Sequence, residues 1–332
     1  MTDTRPAPTR PLRVMLLGAT GTIGRATAAA LVARGHQVVC LVRPKPGDDS
    51  RRGLPDALDL RLGAAGDPAS LARDGFRGER FDALVSCLAS RTGAPRDAWA
   101  IDHAANLAAL QAAQAAGVGQ MVLLSAICVQ RPLLAFQQAK LAFEAALIAS
   151  GLNYSIVRPT AFFKSLSGQV ARVRAGKPFL LFGDGRLTAC KPISDGDLGA
   201  YLADCLGNPE RINRILPIGG PGPAITPRDQ GEWLFRRLGL EPKFRQVPVG
   251  MMDAIIAGLT LAGKLSAKAA DKAEFARIGR YYATESMLVL DAGTGRYDAG
   301  ATPETGTETL FDYYEKLIRG EVTVDLGEHA VF

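Results

Sequence analysis

Three glycines in Gly18-Ala19-Thr20-Gly21-Thr22-Ile23-Gly24 follow directly on the apolar run Val14-Met15-Leu16-Leu17. Residues of these types at this spacing can hold a pyrophosphate. Gly18 permits a tight turn out of a strand, Gly21 lets backbone approach the phosphates, and Gly24 allows a helix to pack closely on the strand. The helix that follows offers N–H groups and the positive end of its dipole, so Thr20, Thr22 and Ile23 join the glycines as cofactor contacts. The spacing is Gly-x-x-Gly-x-x-Gly, and an incidental glycine turn is the competing reading. An apolar strand before it and a helix after it favour the dinucleotide site.

The second strand ends in Leu41-Val42-Arg43-Pro44-Lys45, with no carboxylate before Asp48. An acid at that place would bind a ribose 2′-hydroxyl. Arg43 instead suits a 2′-phosphate, by charge-assisted hydrogen bonds and by stacking on adenine, which points to NADPH. The plainer alternative is a solvated surface arginine, and Lys45 is a weaker second cation. Asp67, in Gly66-Asp67-Pro68, either reaches the adenine amino group or caps a helix. Ser86 and Ser125 end the fourth and fifth strands, where backbone lines the nicotinamide half. Lys140 lies on the helix after the fifth strand and is the catalytic candidate. Its ammonium can donate to both ribose hydroxyls and orient the ring. A surface lysine is the alternative. Phe136, one turn earlier, has no ionisable group.

These residues need a scaffold, and the apolar pattern supplies one. Strands are expected at Arg13–Leu17, Gln37–Val42, around Arg61–Leu62, and at Ala83–Ser86, Gln120–Leu124 and Asn153–Val157. Helices are expected at Thr22–Arg34, Ala104–Ala116 and Leu134–Ser150. Strands alternating with helices predict an α/β fold, a doubly wound parallel Rossmann sheet. The expected organisation is a disordered tail over 1–11 and an NADP-binding domain over 12–160. Residues 161–332 form a smaller, mainly substrate-binding portion, with some segments returning to the sheet. Helices are also expected at Arg228–Leu238 and Glu308–Ile318.

Composition narrows the function. A 332-residue chain with 47% hydrophobic and 22% charged residues can bury a core without disulfides or metal. Its five cysteines include no Cys-x-x-Cys pair, and its three histidines are far apart, so no metal site is expected. A reducing, cytoplasmic location fits. The net charge of +6 is dispersed, without the basic stripe that nucleic acid requires. It suits an anionic cofactor and an acidic small substrate.

Four longer stretches carry a resemblance. They are Phe136-Gln137-Gln138-Ala139-Lys140-Leu141-Ala142-Phe143-Glu144, Arg158-Pro159-Thr160-Ala161-Phe162-Phe163-Lys164-Ser165, Cys190-Lys191-Pro192-Ile193-Ser194, and Ile278-Gly279-Arg280-Tyr281-Tyr282-Ala283-Thr284-Glu285-Ser286-Met287-Leu288. The chain from residue 12 resembles the atypical, extended branch of the short-chain dehydrogenase/reductases. Within it, residues 12 to 315 resemble the NADPH-dependent 8-vinyl-reductases of divinyl chlorophyllide a. Reductases of this build usually carry Tyr-x-x-x-Lys where this chain has Phe136 and Lys140. A carbonyl reductase needs that tyrosine to protonate an oxyanion, whereas hydride delivery to a carbon–carbon double bond makes none. The resemblance implies reduction of a vinyl group on divinyl chlorophyllide a or protochlorophyllide a in (bacterio)chlorophyll synthesis.

Such a tetrapyrrole substrate is a large flat ring with a propionate. It needs an apolar slot and a cation. Phe162 and Phe163 beside Lys164, and Tyr281 and Tyr282 beside Arg280, are the substrate-binding candidates. Core packing is the alternative for the phenylalanines. Lys191 is a further cation, and Cys190 is a possible proton donor whose commoner fate is burial. The apolar run Met251 to Gly263, followed by Lys264, Lys268 and Lys272, is too short to span a bilayer. It is a core helix, a lid over the slot, or a transient contact with an anionic membrane surface. The rival functions are an isoflavone-reductase-like enzyme of another conjugated substrate and a non-enzymatic NADP-binding sensor or subunit.

Overall fold

The computed structural model describes residues 10–44 and 51–323. Most of the expected tail, together with Lys45, Asp48 and His329, lies outside the described residues.

The strands of the main sheet are β1 (Arg13–Leu17), β2 (Gln37–Val42), β3 (Asp59–Leu62), β4 (Ala83–Ser86), β5 (Gln120–Leu124), β6 (Asn153–Pro159) and β8 (Arg214–Ile218), with β7 (Phe179–Phe182) outside it. They pair in parallel in the order β3-β2-β1-β4-β5-β6-β8. The apolar runs of β1, β4 and β5 are buried on both faces, as a sheet covered on two sides requires. Successive β1 side chains face opposite layers. Val14 and Leu16 pack with Ala28 and Leu31 and with Leu198 and Leu202 from the Asp195–Ala203 helix. Met15 and Leu17 pack with Ala109, Ala113, Phe143 and Leu147. The Rossmann sheet is therefore the one the sequence predicts, and β8 is a later segment that returns to it.

A third apolar cluster lies beyond the carboxyl ends of β5 and β6. It joins Ile127 and Phe136 to Phe163, Phe179, Cys190, Ile278, Tyr281 and Tyr314. Most of these come from the second half of the chain. β7 pairs in parallel with Phe244–Val247 in a separate two-stranded sheet beside this cluster.

Two expectations change. The helix expected over 104–116 begins earlier, as a π-helical segment Trp99–Ala105, and becomes α-helical only over Asn106–Ala115. The Asn106 side chain donates to the carbonyls of Ile101 and Asp102 at 3.2 Å each, which suits a widened turn. The apolar run near residue 251 forms the Val249–Gly263 helix, and none of its residues is buried. It packs on the Ala267–Thr284 helix as a hairpin, tied by Arg280 to Asp253 and by Arg277 Nη2 to Thr260 Oγ1 at 2.7 Å. The core-helix reading is therefore removed. Among the described residues no helix is long and apolar enough to cross a membrane.

Candidate cofactor and active site

Gly18 has φ of 78°, and a Cβ there would lie 2.5 Å from the Cys87 carbonyl oxygen. A Cβ on Gly24 would lie 2.0 Å from the Gly18 oxygen. These two glycines let β1, the loop after β4 and the Thr22–Ala33 helix converge. Gly21 differs: it is exposed, and the nearest atom to an added Cβ is 3.4 Å away. Its freedom serves whatever approaches from outside. The helix has no side-chain cap and no acid in its first turn. Its leading N–H groups and dipole thus remain available to an anion, which fits a dinucleotide pyrophosphate. Thr20 and Thr22 are exposed at this turn, whereas the Ile23 side chain is core and leaves only backbone for the cofactor. Arg25, which sequence reasoning missed, donates from Nε to the Thr20 carbonyl at 3.1 Å. It sits where a second positive charge would flank phosphates.

Arg43 is exposed at the carboxyl end of β2. Asp67 is exposed after β3, and its Oδ1 accepts from Ala69 N at 3.0 Å, so it caps a short helix. The two serines at the ends of β4 and β5 turn their side chains inward. Ser86 Oγ donates to Asn106 Oδ1 at 2.6 Å, and Ser125 Oγ donates to Glu144, which also pairs with Arg158. Both residues are buried, so backbone is what they have to offer a cofactor at these strand ends.

Lys140 is held in an ion pair with Asp102, Nζ to Oδ1 2.9 Å. Its side chain is 12% exposed and that of Asp102 fully buried. Phe136 is buried in the same cluster as Ile278 of the hairpin's second helix. A Cβ added at Gly93 would meet both side chains, with Phe136 Cδ1 at 3.6 Å and Ile278 Cδ1 at 2.8 Å. The position where related reductases carry tyrosine is thus an apolar anchor for the C-terminal helices.

The substrate candidates divide. Phe163, Cys190 and Tyr281 are core residues, which corrects their assignment to a slot. Tyr281 donates its hydroxyl to the Cys128 carbonyl at 2.8 Å. Burial pushes the Cys190 thiol up to about 12, which makes it a poor proton donor near neutrality. Lys191 is not a free cation: its Nζ contacts Glu304 at 3.2 Å and the Thr302 carbonyl at 3.3 Å. Phe162 and Lys164 are half-buried after β6. Lys164 faces Asp195, whose carboxyl is pushed up to about 6 by burial, with Lys164 opposing the rise and Glu308 adding to it. Tyr282 is 37% exposed, yet its hydroxyl end reaches the buried Cys128, and burial raises its phenol well above the usual range. An open cleft of about 770 Å³ lies at the opposite, amino edge of the sheet, lined by Arg10, Arg13 and Arg80. It is at the end of the strands away from the glycine turn.

The fold and the glycine turn define a Rossmann-type NAD(P)H-binding oxidoreductase, and a family described as NAD(P)H-binding matches residues 18–209. Two relatives are more specific. Divinyl chlorophyllide a 8-vinyl-reductase, chloroplastic, of Oryza sativa subsp. indica is 50% identical, covering 96% of this chain and 82% of that one. Its counterpart in Zea mays is 48% identical, covering 99% and 85%. The chain belongs to the divinyl chlorophyllide a 8-vinyl-reductase family. The solved leucoanthocyanidin reductase–NADPH complex from Vitis vinifera has the same fold, with TM-score 0.68 and 16% identity, covering 92% of this chain and 99% of that one.

Proposed function

We propose that this protein uses NADPH to reduce the 8-vinyl group of divinyl chlorophyllide a to an ethyl group. The observation that carries this is the identity of 50% across 96% of the chain with an enzyme bearing that name. The retained Lys140 and the buried Phe136 support it, because they fit a reductase that makes no oxyanion.

Bound NADPH supplies a hydride. The chain's own groups bind, orient and exclude water. The leading N–H groups of the Thr22–Ala33 helix hold the pyrophosphate, and Arg43 holds the 2′-phosphate. Lys140 donates to the nicotinamide ribose and sets the face of the ring. A vinyl group conjugated with a tetrapyrrole spreads negative charge over the macrocycle, so no phenol is needed at position 136. A proton delivered to the neighbouring carbon completes the ethyl group. Phe162 and Tyr282 offer flat apolar surface, and Lys164 offers a cation for the propionate.

The enzyme works in the cytoplasm, in keeping with its five unpaired cysteines. It meets its amphiphilic pigment at an anionic membrane surface, through the tip of the helical hairpin. Leu261 is 67% exposed there and Leu265 95%, and Lys264, Lys268 and Lys272, close by in sequence, are exposed as well. Apolar side chains among lysines complement anionic lipid.

Incubation with NADPH and divinyl chlorophyllide a, followed by chromatography and mass measurement, tests the reaction. The expected product is the monovinyl pigment, heavier by two hydrogens. A parallel arm with divinyl protochlorophyllide a ranks the two pigments. Unchanged pigment in both arms would exclude the proposal.

A further inference from the structure

The ion pair between Asp102 and Lys140 has features that a merely structural pair does not need. The carboxylate belongs to the π-helical Trp99–Ala105 segment and the ammonium to the Ala135–Ala149 helix. Ser90, in the loop after β4, donates its backbone N–H to the same Asp102 Oδ1 at 3.3 Å. The Asp102 carbonyl accepts from Asn106 Nδ2, and Asn106 Oδ1 accepts from Ser86 Oγ at 2.6 Å. A continuous line of polar contacts therefore runs from the end of β4 to Lys140. Asp102 Oδ2 is buried with no hydrogen-bond partner among the described residues.

A buried carboxylate with one oxygen unsatisfied is costly, and ion pairs of this kind can often be replaced by apolar residues without loss of stability. The arrangement makes sense if the ammonium has another task. Lysine carries three donors on a flexible four-carbon stem. Unheld, it would lose rotamer freedom each time it bound a ligand. Held by Asp102, it keeps two donors for a pair of hydroxyls. The second carboxylate oxygen lets the ammonium shift toward a ligand without leaving its counter-ion.

We infer that Asp102 is the positioning residue for Lys140, orienting its ammonium for the nicotinamide ribose before the cofactor arrives. This rests on the assignment of Lys140 to that ribose and is independent of which pigment is reduced.

The test measures dissociation constants of NADPH and of 2′,5′-ADP, which lacks the nicotinamide ribose. The proteins are wild type, Asp102→Asn, Lys140→Met and the double variant. Asp102→Asn should weaken NADPH about tenfold and leave 2′,5′-ADP within about twofold. The double variant should bind NADPH no more weakly than Lys140→Met, because both changes remove one function. Lys140→Met should also lower Tm by stranding the carboxylate, and adding Asp102→Asn should restore part of that loss. If Lys140→Met leaves NADPH affinity unchanged, the ribose assignment fails and the inference with it. If Lys140→Met weakens NADPH but Asp102→Asn does not, only the inference fails. Equal losses for both ligands in Asp102→Asn, or additive losses in the double variant, would likewise overturn it.

Discussion

Gly18 and Gly24 are in such close contact that a Cβ on residue 24 would fall 2.0 Å from the Gly18 carbonyl oxygen. At Gly21 the nearest atom to an added Cβ is 3.4 Å away, an ordinary contact. The two positions should respond differently to the same change. Gly24→Ala should force helix and strand apart and cost about 1–3 kcal/mol or more of stability. Gly21→Ala should melt like the wild type but lose NADPH affinity, because the added methyl occupies space the phosphates approach. Thermal melts and NADPH titration of both variants check this. A stable Gly24→Ala protein would contradict the packing account.

Arg43→Ala should weaken NADPH roughly tenfold or more and leave NADH nearly untouched. The loss corresponds to charge-assisted hydrogen bonds worth about 1.5–3 kcal/mol. Titration with both cofactors measures it. Equal losses would show that Arg43 does not read the 2′-phosphate.

Phe136 should behave as a packing residue. Phe136→Ala should cost about 3–5 kcal/mol, as buried phenylalanines do. Phe136→Tyr should not accelerate vinyl reduction, since no oxyanion awaits a proton. Turnover and melting of both variants are the measurements. A faster Phe136→Tyr enzyme would mean that the reaction does use a phenol at this position.

Asp195 gives a pH signature. Its folded pKa, about 6, lies above the ordinary 3.8, so the folded state binds its proton more tightly than the unfolded state does. Its contribution to stability therefore falls as pH rises from about 4 to 6, and the full penalty is present above that. Lys164, Glu308 and Tyr313 are the charged or titratable groups coupled to it. Asp195→Asn should raise Tm by about 2–4 °C at pH 8, with the gain disappearing near pH 4. A gain independent of pH would exclude this carboxylate as its source.

The hairpin tip should be needed for lipid binding and dispensable for chemistry. Leu265→Asp combined with Lys268→Glu should abolish sedimentation with vesicles of anionic phospholipid. Turnover of detergent-dispersed pigment should remain. Sedimentation that persists in the double variant, or that is equal on neutral vesicles, would dismiss the membrane surface as this tip's partner.

Much of the Rossmann half is legible because buried parallel strands are continuous apolar runs closed by glycine or polar stops. Gln37–Val42 and Gln120–Leu124 have the bounds their sequence implies. Side-chain direction is not legible in the same way. Ser86 and Ser125 stand at the ends of β4 and β5, and only the fold shows that their hydroxyls serve Asn106 and Glu144. Lys191 looks like a free cation until the fold brings Glu304 beside it. Asp102 is a lone acid in an alanine-rich stretch, and nothing local marks it as the partner of Lys140. The 251–263 run is apolar enough for core, lid or membrane contact, and only the fold shows that it packs chiefly on the Ala267–Thr284 helix with none of its residues buried.

The central claim is hydride transfer from NADPH to the 8-vinyl group by a site with no catalytic phenol at position 136. Single turnover with NADPH deuterated at the transferring position of C4, followed by mass and NMR analysis of the pigment, tests it directly. The account predicts one deuterium in the new ethyl group, with its second new hydrogen from solvent. An ethyl group free of deuterium, or a pigment still divinyl after NADPH is consumed, would contradict it.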